Sequence, residues 1–115
     1  MAKAKARFLH KPTCISCRKA KAVLKNLELD MRDICKDKLT AAELDQLIGT
    51  RDHRQFLNPR NEIYRKRKMK TNPPSRDEAI KLMAAEPNLV RRPVVLRGPD
   101  IVIGYDEEAL KRIAK

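Results

Sequence analysis

Cys14-Ile15-Ser16-Cys17 places two thiols three positions apart, where an apolar run carrying Ala6, Phe8 and Leu9 meets a basic segment, Arg18-Lys19-Ala20-Lys21-Ala22-Val23-Leu24. Two sulfurs so spaced can close a small disulfide ring when the second lies in the first turn of a helix. At that helix end the unpaired backbone N–H groups and the macrodipole favour a thiolate over a thiol. Cys14, at the edge, is therefore the better nucleophile. Cys17, one turn in, reads as the resolving thiol that attacks a mixed disulfide or sulfenic acid on Cys14.

The same spacing also occurs as half of a zinc site, which usually needs a second close pair; here the remaining candidates, His10, Cys35 and His53, are scattered. A redox or nucleophilic pair with no metal is the preferred reading. Arg18 either adds positive charge beside the sulfurs or points to solvent. His10 is a hydrogen-bonding neighbour of Cys14 or simply a strand-end residue. Cys35 reads as a buried or incidental thiol, and His53 has no motif around it.

The elements that must position these groups follow from patterning. Ala6 to His10 reads as a strand, Ser16 to Leu27 as a helix and Leu29 to Ile34 as a second strand. Thr40-Ala41-Ala42-Glu43 and Ser75-Arg76-Asp77-Glu78 have capping-box spacing, predicting helices over 41–48, ended by Gly49, and from 76 to about 85. Between them lies a polar, basic stretch with room for one short helix near Glu62 to Lys68, and a further turn is expected over Pro87 to Val90. Val94-Val95-Leu96 and Ile101-Val102-Ile103, joined by Arg97-Gly98-Pro99-Asp100, signal a hairpin. Asp106 can cap a last helix over Glu107 to Ala114. The order β-α-β, helical middle, β-β-α describes a mixed four-stranded α/β sheet, because the first pair needs a helical crossover and the last is a tight antiparallel turn.

With 115 residues the chain is about one domain, and its net charge of +12 predicts attraction to oxyanions, anionic thiols or polyanions. The densest basic run, Arg60 to Lys70, reads first as a solvated helix face. Two Tyr, two Phe and no Trp leave few rings to interleave with those bases, so direct nucleic-acid binding is not expected. No run is long enough to span a membrane, and Met1-Ala2-Lys3-Ala4-Lys5-Ala6-Arg7 lacks the apolar core of a secretory signal. A cytoplasmic protein follows as the default, and there three cysteines read as reactive or buried thiols rather than a disulfide framework.

Four segments together resemble the arsenate reductase (ArsC) and Spx family, which has a thioredoxin fold with a helical insert. They are His10-Lys11-Pro12-Thr13-Cys14-Ile15-Ser16-Cys17-Arg18-Lys19, Asn58-Pro59-Arg60-Asn61, Arg91-Arg92-Pro93-Val94-Val95 and Ile103-Gly104-Tyr105-Asp106-Glu107. The resemblance covers nearly the whole chain and implies one ArsC-like domain over 1–115, the insert occupying about 40–90. It implies that Cys14 is the nucleophile, that Arg60 and Arg92 bind the oxyanion, and that Pro93 is cis. Guanidinium groups suit that task, since they offer bidentate donors to a tetrahedral anion and hold a nearby sulfur as thiolate. The family's third arginine falls where this chain has Tyr105. Cys17 and Gly104-Tyr105-Asp106-Glu107 are more Spx-like, and in Spx regulators the cysteine pair is a redox switch on a protein that binds the RNA polymerase α C-terminal domain. The implied activities are thiol–disulfide oxidoreduction with glutathione, glutaredoxin or thioredoxin as reductant and arsenate as one substrate, or redox-sensing regulation of transcription. No bound cofactor is implied.

Overall fold

Alternation along Lys5–His10 (β1) puts Ala6 and Phe8 on one face of a strand, and that face organises half of the structure. The computed structural model describes residues 4–115, so Met1, Ala2 and Lys3 lie outside the described residues. The chain divides into two compact units: one runs to Ile34 and resumes at Arg92, the other is Cys35–Arg91.

In the first unit, β1 is followed by α1 (Ile15–Val23) and β2 (Glu28–Asp33), then after the second unit by β3 (Val94–Arg97), β4 (Asp100–Ile103) and α5 (Glu107–Ala114). The sheet order is β2-β1-β3-β4, with β1 parallel to β2 and antiparallel to β3, and β3 antiparallel to β4. Register aligns Met31, Phe8, Val95 and Val102 across the sheet. Phe8, Val95 and Val102 share a core with Cys17, Ala20 and Leu24 of α1 and Leu110, Ile113 and Ala114 of α5. Both helical sets recur at three- and four-residue intervals, the stripe needed to lie on a sheet. Each large apolar side chain so buried contributes about 1.5–3 kcal/mol.

The hairpin forms as expected. Arg97 pairs with Asp100, and Gly98 turns between them at φ +58°. The last helix also has its predicted bounds, with the Asp106 side chain accepting from Ala109 N–H. Helix α1 is shorter than its Ala, Lys and Leu content suggests. It closes at Leu24, whose N–H bonds the carbonyls of Ala20 and Lys21, and Asn26 leaves the helix to donate Nδ2–H to Ala114 O at 2.7 Å. Leaving the helix there lets β2 start at Glu28, one residue ahead of expectation.

The second unit is helical: α2 (Ala41–Ile48), α3 (Glu62–Lys66) and α4 (Arg76–Ala85), with single 3₁₀ turns at His53–Phe56 and Pro87–Leu89. Thr40 and Glu43 make a reciprocal capping box at the start of α2, and Ser75 accepts from Glu78 N–H at the start of α4. α2 packs on α4, and Arg76 pairs with Asp45 between them. His53 Nε2 lies 2.8 Å from Pro74 O, so this histidine ties loop to loop. Among the described residues no helix is long and apolar enough to cross a membrane.

Candidate functional site at the start of helix α1

Cys14 is the N-cap of α1. Its backbone is extended, at φ −81° and ψ 119°, while its carbonyl accepts the first helical bond, from Arg18 N–H at 3.2 Å. In the cap position most helices use an oxygen; here a sulfur accepts the Cys17 N–H at 3.4 Å. The approach is fixed by Cys14 N–H donating to Lys11 O at 3.0 Å, and by Arg18 Nε donating to Pro12 O at 3.2 Å. Arg18 therefore braces the loop from the helix rather than facing the sulfur.

Arg92, at the start of the hairpin, lies near enough to the same sulfur for its side-chain donors and its charge to favour the thiolate. The Arg92–Pro93 peptide is cis, as the resemblance implies, and Pro93 O accepts from Gly104 N–H at 2.7 Å. Burial works against the Cys14 thiolate, but hydrogen bonds from the Cys17 side chain and backbone and the bond and charge of Arg92 outweigh it, so the Cys14 pKa is lowered. Cys17 is 2% exposed. Burial, and then the bond and charge of Cys14, push its thiol up to about 12, against a backbone bond from Lys11 that pulls the other way. The two sulfurs are unlike: the thiolate is favoured at Cys14 and disfavoured at Cys17.

The structure thus brings together Cys14, Cys17, Arg92 and Pro93. His10 is elsewhere: its ring stacks on Phe8 at 5.4 Å, and among the described residues it makes no hydrogen bond to Cys14. Burial lowers its pKa, with Asp33 opposing and Lys21 assisting. Arg60 belongs to the helical unit, exposed just after Pro59, where its N–H bonds Asn58 Oδ1. Tyr105 is 39% exposed, with Lys19 Nζ 6.0 Å from its ring centre. Cys35, half-buried, donates to Asn88 Oδ1 at 3.7 Å. Sequence reasoning missed Ile15, which sits 68% exposed between the two thiols.

Residues 9–113 match the ArsC family. The chain belongs to the ArsC family. Among its relatives, the global transcriptional regulator Spx of Staphylococcus aureus (strain Mu50) is 30% identical over 105 residues, covering 88% of this chain and 80% of that protein. An ArsC family related protein from Bacteroides fragilis has a crystal structure that superposes with TM-score 0.80 at 29% identity, covering 94% of this chain and 96% of the other. A protein described as a possible arsenate reductase, from Streptococcus mutans, gives TM-score 0.73 at 31% identity over 90% and 92%. The mixed sheet and its helices are thus those of an ArsC-type thioredoxin-like fold.

Proposed function

We propose that this ArsC-family chain performs thiol–disulfide exchange, with Cys14 as nucleophile and Cys17 as resolving thiol. The observation that carries the reading is the placement of Cys14 Sγ, which accepts the Cys17 N–H at the first turn of α1, where Arg92 and Cys17 together favour its thiolate. The Cys14 thiolate attacks one sulfur of a disulfide such as oxidised glutathione, forming a mixed disulfide and releasing a thiolate. Once Cys14 is covalently bonded, its charge no longer opposes ionisation of Cys17, and two of the causes that raise the Cys17 pKa disappear. Cys17 then gives up its proton and attacks Cys14 Sγ, closing the Cys14–Cys17 bond and releasing the second thiolate. Two electrons have passed from the pair to the disulfide, and two external thiols restore it.

Arg92 steadies the anionic sulfur in each step. For Arg60 the proposal rests on the resemblance: Arg60→Ala should lower turnover of an anionic substrate. Tyr105, a neutral phenol where a third arginine is expected, favours thiol and disulfide substrates over arsenate. A second reading, favoured by the relative named as a global transcriptional regulator, is a stoichiometric redox switch that alters binding to the RNA polymerase α C-terminal domain.

The test is turnover of a glutathione mixed disulfide, and of arsenate, with glutathione, glutaredoxin or thioredoxin supplying electrons, beside α-subunit binding before and after oxidation. Exchange that continues over many cycles and vanishes in Cys14→Ser supports the enzyme. Oxidation-dependent α binding without turnover supports the regulator. A Cys14 that reacts no faster than a free thiol removes both.

A further inference from the structure

A groove of about 540 Å³ runs along α1, with neither Cys14 nor Cys17 in its lining. Its rim is basic: Arg18 and Lys21 of α1 and Lys25 just past its end, spaced at three and four residues, with no acidic residue among the lining side chains. Its floor is apolar, formed by Leu24, Leu27 and, from the strand, Leu29 and Met31. Met31 is 40% exposed, although it stands in register with buried Phe8 on the core face of the sheet. The row of core side chains therefore continues past the helices to an open edge.

That edge is β2, which ends the sheet order. A terminal strand offers one side of its backbone ladder for pairing with another chain. We propose that the groove is a strand-addition site for a short acidic and apolar segment of a partner protein. The segment would pair with Glu28–Asp33 as a fifth strand. Its side chains on the helix side would alternate between an apolar residue extending the Leu29 and Met31 row and a carboxylate meeting Lys21 or Lys25. Charge complementarity and the place of β2 at the end of the sheet order together select this occupant. A fatty-acid-like anion would satisfy the rim but make no use of the terminal strand. A second copy of β2 would bring Glu28 and Asp30 against themselves and supply no carboxylate directed at the helix.

Glu28 and Asp30 alternate with Leu29 and Met31, so their side chains leave from the opposite face of the sheet. Arg18 belongs both to the groove and, through its bond to Pro12 O, to the loop that carries Cys14. A segment seated here is one side chain away from the thiol loop, on a surface the exchange chemistry does not itself occupy.

The probe is a fluorescein-labelled peptide of about eight residues in which threonines alternate with, in turn, leucine and glutamate. It is titrated into the reduced full-length chain by anisotropy and followed by ¹⁵N–¹H amide shifts. The expected result is saturable binding, with the largest shifts and new exchange protection at Leu29, Asp30 and Met31. Lys21→Glu with Lys25→Glu should weaken it at least tenfold, Met31→Ser should weaken it by a smaller factor, and a peptide with proline at its centre should not bind. An unchanged Cys14 alkylation rate in these variants shows that they are folded. No saturable binding overturns the proposal, as do binding indifferent to the two lysine reversals, shifts that map elsewhere, decanoate binding where the peptide does not, and a sedimenting dimer abolished by Met31→Ser.

Discussion

Replacing Arg92 by methionine keeps most of the side chain's bulk and removes only its charge and donors. A hydrogen bond to a charged group is worth about 1.5–3 kcal/mol. Cys14 is partly open to solvent, which screens the interaction, so the lower end applies. At about 1.4 kcal/mol per factor of ten, Arg92→Met should reduce the thiolate population roughly tenfold at any pH below the midpoint of the Cys14 titration. The assay is the rate of iodoacetamide alkylation of Cys14 against pH, measured by mass spectrometry in a Cys35→Ser background. The midpoint should move upward, the rate at neutral pH should fall about tenfold, and the plateau at high pH should stay where it was. Cys17→Ala should move the midpoint in the same direction, since it removes the thiol donor but keeps the backbone N–H bond. A superimposable profile for Arg92→Met would refute the assignment of Arg92 as a stabiliser of the sulfur anion. A lowered plateau would refute it too, because access rather than ionisation would then have changed.

Three further outcomes follow from the packing and the titrating groups. Between pH 9.0, the ordinary thiol value, and about 12, the unfolded chain releases the Cys17 proton before the folded one does, so the reduced protein should lose stability as pH rises through that interval. Urea titrations should show a shallower loss in Cys17→Ala, and equal slopes would sink the claim. Leu110→Ala, at a fully buried position shared by α5 and the sheet, should cost about 2–5 kcal/mol by the same titration. Thr40→Ala removes the capping box of α2 and should cost about 1 kcal/mol while leaving the Cys14 alkylation profile unchanged.

Where a local signal and the tertiary contact agree, the chain was readable. Helices α2 and α5 carry their own start signals in Thr40, Glu43 and Asp106, and both were placed to the residue. Cys14 was legible because the end of an apolar strand followed by a helix former is itself a helix mouth. The far end of α1 was not. Its periodic Leu and Ala residues run on to Leu27, and only the distant carbonyl of Ala114, which bonds Asn26, explains why the helix stops early. The 3₁₀ turn at His53–Phe56 is too short to show a period. Its one clue was Asp52, which accepts from Arg54 N–H and pairs with the Arg54 side chain. Arg18 could not be assigned from spacing, since choosing between a sulfur, solvent and the Pro12 carbonyl requires the path of the loop. The stacking of His10 on Phe8 was more accessible, two positions apart on one strand face, and it was overlooked.

In the exchange proposed above, the atom that caps α1 is also the atom whose electrons are at stake. A sulfur anion accepts the Cys17 amide proton strongly, and a sulfur tied into a disulfide accepts it far less, so every oxidation loosens the opening turn of that helix. The Cys17 backbone amide is therefore a built-in gauge: its resonance and its solvent exchange should track the electron count of the pair, without any label on either thiol.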